Sequence, residues 1–115
     1  MEVFNAAFPI LPGKSDQARA FAAAINGERR REFDESQARF GAARETWALQ
    51  STPDGELMLV WFEAADVEKG FAVLAQSTDP FDVWFRDQVQ DATGFDLAAP
   101  QTEPLPEVLV DWTAP

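Results

Sequence analysis

Leu57-Met58-Leu59-Val60-Trp61-Phe62 is a run without a single polar member. Its length suits a strand, and Pro53-Asp54-Gly55 just ahead of it is a hairpin turn signal. The run therefore reads as part of a second hairpin arm, Glu56 to Glu63, paired with a first arm from Glu45 to Thr52. A strand of an antiparallel sheet usually turns one face to the core and the other to water. Here both faces are apolar and both need cover. Helices in a chain of 115 residues can cover one side only. A second copy of the chain is the natural cover for the other, so a homodimer is expected.

Working outward, Val3 to Leu11 reads as the first strand, with Phe4, Ala6, Phe8 and Ile10 on one face. Pro12-Gly13 makes a turn, and Ser15 is the expected N-cap of a helix that buries Ala18, Phe21, Ala22 and Ile25. A second helix is expected over Glu28 to Phe40, with Arg29, Arg30 and Arg31 paired along its surface to nearby acids. Beyond the hairpin, Asp66 caps a third helix that buries Val67, Gly70, Phe71 and Leu74. Asp79 caps a fourth, with Pro80 at its first position and Gly94 at its end. A Pro-rich link from Ala98 to Pro106 then leads to a last strand, Glu107 to Trp112. The expected order is βαββαβ, a ferredoxin-like α+β domain over residues 1–115. Its four-stranded antiparallel sheet would carry helices on one face.

Composition excludes much chemistry. The chain has no Cys, His or Tyr. Disulfides, thiolate metal sites, the Ser-His-Asp triad and the two-His iron site are therefore impossible, and neither a cofactor nor a metal is expected. The net charge of −11 argues against nucleic acid as a partner. Lys14 to Arg44 is mildly basic and Glu45 to Pro115 strongly acidic, which reads as a solvated surface. Nothing at the N-terminus resembles a signal peptide, and no apolar stretch nears the roughly 20 residues that span a bilayer. A cytoplasmic location without membrane contact is the expectation.

Two stretches, Ile10-Leu-Pro-Gly-Lys-Ser-Asp-Gln-Ala18 and Leu59-Val-Trp-Phe-Glu-Ala-Ala-Asp-Val-Glu-Lys-Gly-Phe71, resemble the dimeric α+β barrel superfamily that includes the antibiotic-biosynthesis monooxygenases. The Arg-rich segment before the second strand and Asp79-Pro-Phe-Asp-Val-Trp-Phe85 are similar to a small uncharacterised bacterial family within it. The resemblance implies two sheets packed face to face in a homodimer, with a pocket between sheet and helices in each subunit. The His of several active members and the Tyr of those that oxidise phenols without a cofactor are both missing here.

The candidate ligand-binding residues are Asn5, Trp47, Trp61, Trp84 and Arg86. The tryptophans are of the kind that line pockets, and they serve equally as core residues. Asn5 interrupts an apolar strand, where a buried amide must find partners. Arg86 stands alone among acids and suits an anionic or enolic group. Glu63 is a candidate base if burial raises its pKa. The expected function is binding of a small apolar or aromatic molecule. The alternative is a cofactor-free monooxygenase or isomerase acting on an activated aromatic or polyketide-like substrate, with Asn5, Trp61 and Arg86 converging on one cavity.

Overall fold

A computed structural model describes residues 1–100 and 103–115. The order of elements is β1 (Glu2–Pro9), α1 (Ser15–Asn26), α2 (Arg30–Arg39), β2 (Ala42–Thr52), β3 (Gly55–Ala64), α3 (Val67–Gln76) and α4 (Pro80–Thr93). The strands form one antiparallel sheet in the order β1-β3-β2, so the wholly apolar run lies at its centre.

Register builds the inner face in rows. Phe8, Met58 and Leu49 form one row, Ala6, Val60 and Trp47 the next, and Phe4, Phe62 and Glu45 a third. The helices pack on this face, and Phe21, Ile25, Leu74, Phe81 and Phe85 complete the core. A bulge between Ala42 and Arg44 sets the phase of β2. An extra residue shifts a strand's alternation by one step. Ala42 and Glu45 thereby both belong to the inner rows, although they are an odd number of residues apart.

Among the described residues no helix packs on the outer face. Its central stripe is Leu57, Leu59 and Trp61, flanked by Asn5 and Ala7 on β1 and by Thr46 and Ala48 on β2. The two-sided apolar strand expected from the sequence is present, and Trp61 on its outer side is 39% exposed.

Most helix ends are where their signals put them. Asp66 accepts a bond from the Lys69 amide, and Asp79 accepts one from the Phe81 amide. Gly94 ends α4 in the left-handed conformation at φ 76°, which glycine adopts without a Cβ clash. The second helix begins at Arg30, two residues later than expected. Arg29–Glu32, Arg30–Asp34 and Arg31–Glu35 pair along the exposed side of this region. Lys14, not Ser15, is the N-cap residue of α1. The Lys14 amide bonds to the Leu11 carbonyl, closing the Pro12-Gly13 turn so that Ser15 is already helical.

The expected fourth strand is absent among the described residues. Residues 107–112 have no ladder partner and stand exposed, with Leu109 and Val110 at 83% and Trp112 at 75%. Part of the link before them, Gln101 and Thr102, lies outside the described residues. A short apolar, β-branched run such as Val108-Leu109-Val110 favours an extended chain. It does not specify a neighbour, and the prolines before it offer no amide to a sheet edge. Among the described residues no helix is long and apolar enough to cross a membrane.

Asp82 joins the helices. Its carboxylate, fully buried, accepts from Ser36 Oγ at 2.5 Å, Ser77 Oγ at 2.6 Å and Arg39 Nη2 at 2.9 Å. It thus ties α2 to α4 and to the turn before it. Gly70 serves close packing in another way. A Cβ there would meet the Phe40 carbonyl oxygen at 3.0 Å. Alanine would favour the helix by about 1 kcal/mol, while overpacking a fixed backbone atom costs about 1–3 kcal/mol. Gly70→Ala should therefore lower stability by about 1 kcal/mol in a urea titration, and an unchanged or higher midpoint would refute the close packing.

Candidate functional site

Between the inner face of the sheet and the helices lies a cavity of about 100 Å³. Rings form much of its wall, including Phe4, Phe21, Phe62, Phe71 and Phe85. Phe21 sits 5.1 Å from Trp47, 5.4 Å from Trp84 and 5.2 Å from Phe85, centroid to centroid. Such ring pairs each add about 0.5–1.5 kcal/mol beyond their buried area, so the wall is fixed rather than fluid. An apolar cavity of about 150 Å³ stays dry and takes benzene. This one is smaller, so it has room for at most a single ring and is too small for a polycyclic molecule.

The exception on the wall is Glu45, the one ionisable residue lining the cavity among the described residues. The bulge in β2 turns it inward in step with Trp47. Trp47 Nε1 donates to Glu45 Oε2 at 2.5 Å, and Gln37 Nε2 donates to Glu45 Oε1 at 3.0 Å. Burial pushes the Glu45 carboxyl above the usual glutamate range, and these two neutral donors only partly offset it. The other end of the Gln37 amide, Oε1, is buried without a hydrogen-bond partner.

A raised carboxyl pKa means that the folded chain holds this proton more tightly than the unfolded one. The protein should therefore lose stability as pH climbs from the ordinary glutamate range through the elevated value. Glu45→Gln removes the charge and keeps the shape. Its amide oxygen can accept from Trp47, and its NH2 can supply Gln37 Oε1. The variant should be more stable than the wild type at neutral pH by about 1 kcal/mol, the scale of one buried hydrogen bond. Calorimetry should show that gain vanishing near about pH 4.

Of the residues singled out in the sequence, Trp47 lines the cavity. Trp84 stands behind the wall, against Phe21 and Phe81, with the Arg29 guanidinium 4.0 Å above its ring. Asn5 and Trp61 face each other across β1 and β3 on the outer side of the sheet, where Trp61 Nε1 donates to Glu63. Glu63 is thus also on that side. Arg86 donates from Nη1 to the Leu74 and Ser77 carbonyls, at 2.7 and 2.9 Å, and so closes the end of α3. Asn5, Trp61 and Arg86 do not converge on one cavity. The residue missed was Glu45. Its phase with Trp47 and Leu49, at every second position, was a signal that it points inward.

Among the described residues no group of three or more acids is placed to hold a metal ion. No curated protein sequence and no solved structure matches this chain. A family of unknown function, DUF6176, matches over residues 1–111. The chain therefore belongs to the DUF6176 family, whose function is not known.

Proposed function

We propose that the protein is a homodimer in which each subunit binds one small aromatic or apolar molecule in the cavity between sheet and helices. The observation that carries the binding reading is the cavity itself: aromatic walls, one-ring size, and a single carboxylate held at its edge by Trp47 and Gln37. Apolar clefts with a few placed polar groups are the usual form of small-molecule sites. The dimer reading rests on the stripe Leu57, Leu59 and Trp61, with Trp61 39% exposed, and on the exposed apolar residues of the C-terminal arm. A second chain placed against both would cover them, as the resemblance to the dimeric α+β barrels implies. The cofactor-free enzyme reading loses its main support, because Asn5, Trp61 and Arg86 lie apart.

Titration calorimetry with toluene tests the binding. Saturable binding at one site per chain is expected, with a negative heat-capacity change from apolar burial. Val60→Phe, which adds a ring at the middle of the cavity floor, should weaken it at least about tenfold, the scale of a few lost methylene contacts. Undiminished binding in that variant would place the site elsewhere.

A further inference from the structure

We propose that Glu45 is the recognition group of the cavity and that the molecule held there is a phenol, a single aromatic ring bearing a hydroxyl. This rests on the binding reading above and adds the ligand's polar group. An ionised carboxylate offers about four acceptor positions, and Trp47 Nε1 and Gln37 Nε2 occupy one on each oxygen. Among the described residues no cation meets the remaining positions. Around the cavity α1 contributes Phe21, β3 Phe62, α3 Phe71 and α4 Phe85, while α2 brings Gln37 to the carboxylate. None of these carries charge. Arg44, next in the chain, pairs in register with Glu63 and belongs to the outer face.

Such a carboxylate is stabilised by a donor arriving with the ligand. Three observations select the kind of donor. Bonds to a charged acceptor are the stronger ones, so a single O–H suffices to orient a ring. An ammonium would have to shed its water among rings, a large cost that an uncharged hydroxyl avoids. The wall is largely aromatic and the volume is that of one ring, which fits a phenyl body. The polar wall residue other than Glu45, Thr93, has its hydroxyl donated to the Val89 carbonyl at 2.7 Å, so it is not free to donate to a ligand.

The test compares phenol with toluene by calorimetry on the full chain. Toluene is the more apolar of the two, so a cavity without a recognition group holds toluene more tightly. The proposal predicts the reverse, with phenol bound about tenfold tighter, as one bond to a charged group allows. Glu45→Gln should weaken phenol about tenfold and leave toluene within twofold. In the wild type, phenol affinity should rise as pH is taken up through the elevated range in which Glu45 ionises. Toluene affinity should not rise. Toluene bound and phenol weaker would overturn the proposal while leaving the cavity reading intact. Equal losses of both in Glu45→Gln would overturn it as well, and binding of neither would remove both.

Discussion

Replacing Asp82 by alanine is expected to cost about 3–5 kcal/mol, the range seen when one partner of a buried ion pair is removed. Domains of this kind have a total stability of about 5–15 kcal/mol, so the variant should lose a large share of it, and all of it at the lower end of that range. The size follows from what is left behind. Ser36, 1% exposed, loses its acceptor, Ser77 loses the one to which it bonds, and Arg39 keeps only the weaker contact to Asp79 at 3.4 Å. Burial pushes the Asp82 carboxyl up, but Ser36, Ser77 and Arg39 together hold it below the usual aspartate range. Its stabilisation is therefore complete above the unfolded carboxylate range and is lost as pH falls through the lowered folded value. Acid unfolding of the wild type should be shallow at first, whereas Asp82→Asn should be weak already at neutral pH and show less acid dependence. A urea midpoint within experimental error of the wild type for Asp82→Ala would contradict this account of how α2 is tied to α4.

Leu59→Asp is the second large effect. Leu59 is the middle of the outer stripe, opposite Ala7 and Ala48. In the chain alone its side chain is only partly buried, so the substitution should change the fold's own stability modestly. In the proposed dimer it places an uncompensated charge at the centre of an apolar interface. That costs several kcal/mol, and about 3 kcal/mol is already more than a hundredfold in dissociation constant. Light scattering should show the wild type at twice the chain mass of 12.8 kDa and the variant near 12.8 kDa at micromolar concentration. A wild type that stays at the mass of one chain would remove the dimer without touching the cavity.

The hairpin, the helix caps at Asp66 and Asp79, and the two-sided central strand were legible because each rests on local chemistry. A turn residue, a capping carboxylate or an unbroken apolar run acts within a few positions of itself. The fourth strand was not legible, because the apolar residues Val108, Leu109, Val110 and Trp112 carry no information about a partner. The surroundings of Arg86 and Asp82 were not legible for a related reason. Both sit on α4 among acids, and only the packing of α2, α3 and α4 decides that Asp82 is buried in donors and Arg86 spent on carbonyls. Of the residues that line the cavity, Trp47 was singled out in the sequence and Glu45 was not. Composition suggested that 20 acids would be solvated, and this outweighed the phase that Glu45 shares with Trp47 and Leu49.

The central claim is that the cavity receives a small aromatic molecule, and the two methionines offer the most direct test. Met58 lines the cavity, and Met1, 72% exposed, serves as an internal reference on the same chain. With carbon-13 in both methyl groups, toluene or phenol should shift the Met58 signal progressively and saturably through the ring current of the bound molecule. The Met1 signal should stay where it is. Two signals that both hold still, or that drift together without saturation, would contradict the account.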